Sequence, residues 1–520
     1  MALKRGKKIF KSSKKGIMFT LLTIILFVLM LAEVIMYVVI NNTYNQQASE
    51  ASAVIGAGSM INTLKDALGP FLISSTSRAI GVYLPANTVP QYPLNNTEAG
   101  ALSSLVFNGT IGGTSYPGMD NATVMSYVEA MDKQAASQNS NTVIYNSSIT
   151  MYQDSPAYIN VSYTGMAIVN TTYGVFTYPL SIEVSYPTLL AYVNITVDNA
   201  QNAAAQGPFQ QMVKFNPSSY SAYESAGLGN IRFYHGSTEL FSWCESGCNY
   251  SSTGSTFWVA LPGGITANSN TVITMGFMPK SIGYGPTNSP ADYAGEAPQL
   301  SPSYGEYDNG ANVFDFYDNF AGSTLNTSKW QVITSGSGTY SVDNGITLSE
   351  SGYTTDMRVV SKSTYTGISD GMITSQNLGS FRGTGMEMAT VLPTSSGFQS
   401  GYRFYASDNH PTGTVGGFID AVVATSGTNV GHNSTNPPGA PYVMTVYWPK
   451  TGIEGWQNNY GYYLSLTNNT VSAAPYYLSL YAGSDGSNIG TIAFSYVRVR
   501  ANLPNNVMPS TTFGSVTTVT

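Results

Sequence analysis

The chain is 520 residues long, 42% hydrophobic and only 9% charged, with 21 Lys and Arg against 28 Asp and Glu. Seven of the basic residues lie in the first fifteen positions, which leaves 14 against 28 acids beyond them, a balance of −14. That deficit excludes a nucleic-acid partner, which needs a basic footprint, while the length gives room for about two to four domains.

In chain order, residues 1–16 form a basic segment without an acid, and Ile17–Ile40 form an apolar run. At 1.5 Å per residue such a run spans ~36 Å as a helix, enough to cross a hydrocarbon core of ~30 Å. The excess of Lys and Arg assigns residues 1–16 to the cytoplasm and the bulk after Ile40 to the outside. The run exceeds a secretory signal core and has no small-residue cleavage pattern at its end. An uncleaved single-pass anchor in the cell membrane is the reading taken. Glu33 interrupts the run, and its position suits either the outer interface or a helix–helix contact.

Lys14-Lys15-Gly16 ahead of the apolar helix resembles archaeal pilin and archaellin precursors. That resemblance implies a cut after Gly16 and a filament subunit assembled through the helix. Leu21 stands where bacterial-type pilins place a Glu.

Residues 41–140 read as a membrane-proximal helical region. Gln46–Leu84 continues the helix, with a break expected at Gly69-Pro70. Asn121–Gln138 is a second helix, with Val124, Tyr127, Val128 and Met131 at helical spacing and Asp120 or Asn121 as its cap. The period then becomes two. Ile159, Val161 and Tyr163 alternate with polar residues, as do Leu180, Ile182 and Val184, then Val193, Ile195 and Val197. Residues 141–190 form a small β-region, and strand and turn chemistry persists to the C-terminus. The expected fold class is mainly β: a transmembrane helix and helical stalk, then tandem β-sandwich or jelly-roll domains. Residues 503–520 read as a C-terminal tail.

Cys244 and Cys248 are the only cysteines. Outside the membrane they are expected to form a small-loop disulfide; a zinc site needs about four ligands, and only His235 is near. Twelve Asn-x-Ser/Thr sequons follow the basic segment: Asn41, Asn95, Asn108, Asn121, Asn146, Asn160, Asn170, Asn194, Asn249, Asn326, Asn433 and Asn468. They mark the chain as a candidate glycoprotein. A surface built from neutral polar residues keeps its hydration when carboxylates protonate, which suits an acidic external medium.

Two stretches resemble known families. Pro208–Val213 (PFQQMV), Gly229–Tyr234 (GNIRFY), Glu239–Trp243 (ELFSW) and Phe257–Pro262 (FWVALP) resemble an uncharacterised β-sandwich domain of archaeal and bacterial surface proteins, here residues 191–312. Val313–Phe320 (VFDFYDNF), Leu325–Trp330 (LNTSKW), Val342–Leu348 (VDNGITL) and Ile492–Arg500 (IAFSYVRVR) resemble a concanavalin A-like lectin/glucanase (LamG-like) domain, here residues 313–502. The second resemblance implies a jelly roll that binds or cleaves carbohydrate.

Glucanases of that fold carry Glu-x-Asp-x-x-Glu on one strand, since such enzymes need two carboxylates ~5.5 Å apart. No such spacing occurs, and Glu387 and Glu454 stand alone. The three His residues are scattered, and no nucleophile elbow or phosphate loop appears. The sequence therefore reads as a non-enzyme, with a glycoside hydrolase as an alternative. Asp315, Asp318 and Asp343 are candidate calcium ligands, or simply turn residues, and no other cofactor is expected. Trp456, Gln457, Asn458 and Tyr460 are the candidate ligand-binding residues, because sugars pack on aromatic rings while amides take their hydroxyls. The expected role is adhesion or recognition of glycans or neighbouring envelope proteins; the oligomeric state is unknown.

Overall fold

The computed structural model describes residues 14–86, 94, 96–136, 141–171, 174–284, 293–334, 336–352, 355–377, 383–390, 392, 401–407, 416–423, 428–435, 440–447, 453–458, 463–467, 475–484 and 489–519. It is mainly β behind one long N-terminal helix. The chain forms two compact units: residues 1–86, 96–152 and 160–186, and residues 87–95, 153–159 and 187–520.

In the first unit, helix α1 runs over Lys14–Ala86. Its early part is apolar all round, and Leu21 to Ile40 expose their large apolar side chains. It is long and apolar enough to cross a membrane. Farther on, the apolar residues narrow to a stripe: Ala57, Ile61, Leu64, Leu68, Leu72, Ala79 and Tyr83 are buried. Their spacing of mostly three or four residues keeps them on one helix face.

The break expected at Gly69-Pro70 does not occur; α1 continues through it. Proline in a helix interior removes one hydrogen bond and costs ~3 kcal/mol. Leu68 and Leu72 are buried on either side of it, and their burial at about 1.5–3 kcal/mol each offsets that cost.

Helix α2 (Asn96–Asn108) packs on α1, and helix α3 (Val124–Ala136) on α2. Neither Asp120 nor Asn121 caps α3. Instead Ser126 N–H donates to Thr123 Oγ1 and Thr123 N–H to Ser126 Oγ, both at 3.1 Å, a reciprocal cap. Asn121 takes a positive φ of 59° in the preceding turn. A small hairpin, β1 (Thr110–Ile111) with β2 (Thr114–Ser115), follows α2. Strands β3 (Asn141–Ser155), β4 (Tyr158–Thr171) and β5 (Gly174–Pro187) form a three-stranded sheet.

The second unit holds both sandwiches. The first is built from β6 (Ala191–Asn199), β7 (Phe209–Phe215), β8 (Ile231–His235), β9 (Thr238–Leu240), β10 (Ser242–Ser246), β11 (Ser255–Leu261), β12 (Ser269–Phe277) and β13 (Ala294–Glu296). Its four-stranded sheet has the order β13-β10-β11-β7. The facing sheet has the order β29-β6-β12-β8-β9, where β29 is Ser510–Thr518. The expected tail is therefore a strand. It pairs with β6 from Ser510↔Asp198 to Thr518↔Ala191, because an open β6 edge offers unpaired backbone groups that a returning segment satisfies. Val193, Ile195, Val213, Phe233, Phe257 and Ile273 fill the core between the sheets. Cys244 and Cys248 form a disulfide at the end of β10.

A short helix, α4 (Gly310–Val313), leads to the second sandwich. Its strands are β14 (Phe316–Asp318), β15 (Trp330–Thr334), β16 (Thr339–Val342), β17 (Ile346–Glu350), β18 (Thr355–Tyr365), β19 (Ile368–Asn377), β20 (Thr384–Ala389), β21 (Gly401–Ser407), β22 (Gly416–Val423), β23 (Thr428–Thr435), β24 (Tyr442–Tyr447), β25 (Ile453–Asn458), β26 (Tyr463–Thr467), β27 (Tyr476–Ser484) and β28 (Gly490–Arg500). One sheet runs β16-β17-β28-β19-β24-β25-β26, with β14 also on β28; the other runs β15-β18-β27-β20-β21-β22-β23. Leu348, Met444 and Phe494 of the one meet Val359, Met386 and Leu480 of the other in a shared core.

Trp330 lies in that core, whereas Trp243 and Trp258 do not sit in a sandwich interior. They pack with Phe314, Tyr317 and Tyr496 where the two sandwiches meet.

Candidate functional site

Side chains alternate between the two faces of a strand. In β20, Met386 and Met388 enter the core, so Glu387 lies on the opposite face of the seven-stranded sheet. Register brings it level with residues of β27 and, beyond that, β18. Glu387 pairs with Ser479, which pairs with Val360; Arg358 of β18 pairs with Tyr481.

Arg358 Nε and Nη2 donate to the two Glu387 oxygens at 3.0 and 3.2 Å. The same Nη2 lies 3.0 Å from Asp356 Oδ2. The two carboxylates thus share one nitrogen. Burial works to lower the Arg358 pKa, but the charges of Glu387 and Asp356 outweigh it and raise it.

All three side chains are buried, Glu387 at 0% exposure. Ser479 Oγ beside them is buried and has no partner among the described residues. Both carboxylates are occupied as hydrogen-bond acceptors or ion-pair partners of the guanidinium. The triad as it stands holds the sheet face together; acid–base work would require one carboxylate to leave Arg358.

The row continues outward in the backbone register. Glu387 stands opposite Arg403, Arg403 opposite Asp420, and Asp420 opposite His432. By residue type the row reads acid, base, acid, histidine. The side chains of Arg403, Asp420 and His432 lie outside the described residues.

The aromatic stretch singled out in the sequence belongs to the other sheet. Strand β25 pairs with β24, placing Trp456 opposite Val446, Gln457 opposite Thr445 and Asn458 opposite Met444. The side chains of Trp456, Gln457 and Asn458, and Tyr460 altogether, lie outside the described residues. Strand β25 pairs in turn with β26, which packs close to β22 and β23. The stretch and the charged row therefore approach the same edge of the sandwich.

Two of the three candidate calcium ligands are engaged elsewhere, and the third, Asp343, is exposed. Asp318 accepts from the Phe320 N–H at 2.9 Å and from Trp330 Nε1 at 2.7 Å, and Asp315 accepts from Gln210 Nε2 at 3.1 Å. Among the described residues no three His, Cys, Asp or Glu side chains gather as metal ligands. His235 Nε2 lies 3.1 Å from Thr271 Oγ1.

A second charged cluster joins the sandwiches. Asp370 Oδ2 accepts from Nε of both Arg498 and Arg500 at 2.8 Å. Burial alone would raise the Asp370 carboxyl; Arg500 and Arg498 overcome it and hold it below the ordinary carboxylate value. The guanidinium carbon of Arg498 lies 4.6 Å from the centre of a Trp258 ring and 4.7 Å from that of Phe314. These are cation–π distances, as is the 4.9 Å from the Arg500 guanidinium carbon to the centre of a Trp258 ring, and they give the Nη1 groups of both arginines, without hydrogen bonds among the described residues, aromatic surroundings. Charges alternating with apolar residues in Tyr496–Arg500 were the available sequence signal for buried partners.

No protein-family model matches the chain. "Uncharacterized protein 562" of Sulfolobus islandicus rod-shaped virus 1 is 28% identical over 375 residues, which cover 65% of this chain and 61% of that protein. The chain thus spans about three-fifths of the length of this relative. Among solved structures it is similar to a glycosyl hydrolase family protein from Mycobacterium fortuitum, at 14% identity and a TM-score of 0.28 over 36% of this chain and 99% of that one. An endo-β-1,3-glucanase from Pyrococcus furiosus matches at 14% identity and a TM-score of 0.28, over 36% of this chain and 94% of that one. The lumenal domain of VIP36, bound to calcium and a mannose-containing glycan, matches at 9% identity and a TM-score of 0.26, over 38% and 99%.

The sequence expectation of a non-enzyme is corrected by these findings. Glycoside hydrolases stand among the similar structures; the pair that the fold brings onto one nitrogen of Arg358, Asp356 and Glu387, is itself a buried structural ion pair.

Proposed function

We propose that the chain is a membrane-anchored surface protein whose second sandwich engages carbohydrate. Helix α1 holds it in the membrane with residues 1–16 in the cytoplasm, and both sandwiches stand outside, in contact with glycans or envelope partners. The supporting observation is the polar face of the seven-stranded sheet. Asp356, Arg358, Glu387 and Ser479 are buried there; Arg403, Asp420 and His432 continue the row in the backbone register to the edge strand β23, and this outer part of the row is the part proposed to meet carbohydrate. Carboxylates, guanidinium and hydroxyls are the groups that take sugar hydroxyls. Trp456 and Tyr460 are proposed as the aromatic contacts.

Binding and cleavage use the same face, and one experiment separates them. The ectodomain from Asn41 onward is applied to a glycan array, and the glycans it retains are assayed for new reducing ends. Retention without new ends identifies a lectin, and new ends identify a glycoside hydrolase. An array without any retained glycan removes the carbohydrate reading and leaves adhesion through protein contact.

A filament-subunit reading draws on the same helix, exposed over Leu21–Ile40 and packed from Ala57 onward. N-terminal sequencing of the cell-derived protein tests it: Ile17 as the first residue supports it, and an intact basic segment removes it.

A further inference from the structure

Among the described residues, three sequons share one geometry at unrelated places in the fold. Asn108 Oδ1 accepts from the Thr110 N–H at 3.1 Å and from its hydroxyl at 2.8 Å. Asn249 Oδ1 accepts from the Ser251 N–H at 2.9 Å and its hydroxyl at 2.8 Å. Asn326 Oδ1 accepts from the Ser328 N–H at 3.0 Å and its hydroxyl at 2.6 Å. All three asparagines are exposed. They end helix α2, occupy the loop after the disulfide, and precede strand β15, respectively.

Other described sequons differ. Asn194 lies within β6, where its Oδ1 accepts from Thr274 across the sheet at 3.0 Å. Asn160 is half-buried in β4, and its Oδ1 accepts from Ser185 at 2.8 Å. The Thr123 hydroxyl of the Asn121 sequon is buried and belongs to the cap of α3.

We propose that Asn108, Asn249 and Asn326 are sites at which this protein is N-glycosylated, with the sugar supplied as a lipid-phosphate-linked oligosaccharide by a membrane transferase. The sequon is an acceptor when its Asn is accessible on a surface loop, and the proposal adds that the hydroxyl of the second following residue lies against its amide. At these three positions the fold already provides both. The two hydrogen bonds occupy Oδ1 and leave Nδ2 as the open end of each amide. Nδ2 attacks the anomeric carbon, forming the N–C bond while the C–O bond to phosphate breaks. The lipid phosphate leaves with the electron pair, and the Nδ2 proton passes to a carboxylate base of the transferase.

The chain contains its own control. Asn216 Oδ1 accepts from the Ser218 N–H at 3.1 Å and its hydroxyl at 2.8 Å, and Asn216 is exposed. The residue between them is Pro217, which removes the sequon. Turn geometry alone predicts modification at Asn216; the sequon in that geometry predicts none.

The inference rests on the outward orientation proposed above, so the test measures both. Full-length protein is isolated from cells that N-glycosylate exported proteins, and its peptides are read by mass spectrometry. Intact cells are treated with protease in parallel. Glycan masses on the Asn108, Asn249 and Asn326 peptides are expected, with Asn194 and Asn216 bare. A triple change of these asparagines to Gln shifts the intact mass by three glycans. If protease removes the sandwiches yet the three peptides are bare, or Asn194 is modified in their place, the proposal falls and the orientation stands. If the sandwiches resist protease on intact cells and are cut after lysis, the orientation falls and takes the proposal with it.

Discussion

Arg498 Nη2 and Glu245 Oε1 lie 2.8 Å apart and tie the second sandwich to the first. Glu245 stands beside the disulfide-bonded Cys244, and its carboxylate also accepts from Trp258 Nε1 at 2.9 Å and from the Tyr496 hydroxyl at 3.0 Å. Charged, aromatic and covalent links thus meet at one place between two domains.

Removing one partner of a buried pair strands the other charge and costs about 3–5 kcal/mol. Arg498→Met is expected to lower the melting temperature by roughly 6–20 °C, taking about 2–4 °C per kcal/mol for domains of this size. Lys329→Met breaks the partly exposed contact with Asp318, at 3.8 Å, and is expected to cost no more than about 1 kcal/mol. Differential scanning calorimetry of the two variants checks the ranking. Equal effects would show that the junction contributes no more than a surface pair.

Glu224 is buried with neither oxygen hydrogen-bonded among the described residues. Burial pushes its carboxyl up to about 8, against a partial opposing effect of Lys280; Tyr220 and Tyr284 also face it. Glu296 is pushed up to about 7 by burial, lowered by the Ser301 hydrogen bond and raised by Asp308 and Glu306. The folded state therefore keeps protons that the unfolded chain releases above its ordinary value of 4.5. Stability is full below that value and falls as pH rises toward about 8. The expected readout is a falling melting temperature between pH 4.5 and 8. Glu224→Gln flattens the profile. A profile rising over that window would contradict the assignment, whereas the predicted fall accords with the acidic medium that the composition suits.

Strand β29 closes the open edge of β6. Deleting residues 510–519 is expected to uncover that edge and the apolar side of β6, with Val193, Ile195 and Val197, and to destabilise the first sandwich selectively. Limited proteolysis checks this: cuts between residues 191 and 277 should appear while the second sandwich resists. An unchanged digestion pattern would mean that the C-terminal strand is dispensable.

The strand-rich character of the chain and its long N-terminal helix were legible in period and composition, because both depend on neighbours in sequence. The continuous helix at Pro70 was not, since packing of Leu68 and Leu72 outweighs a local preference. Nor was the return of β29 to a sheet begun some 310 residues earlier. The acid pair was hidden for the same reason. Asp356 and Glu387 lie 31 residues apart and converge only through the register of β18, β27 and β20. A search for acids on a single strand misses a pair assembled across three. For Trp456 and Tyr460 the sequence supplies the residue types, and the strand pairing supplies only the neighbourhood.

The carbohydrate-engaging face is tested most directly by the affinity of the ectodomain for its best array glycan, compared with Asp420→Asn. Isothermal titration is run alongside a melting curve for each protein. The predicted result is binding by the unaltered chain and an at least tenfold loss in the variant, at an unchanged melting temperature. Equal affinity in both, or no heat of binding in either, would contradict the account.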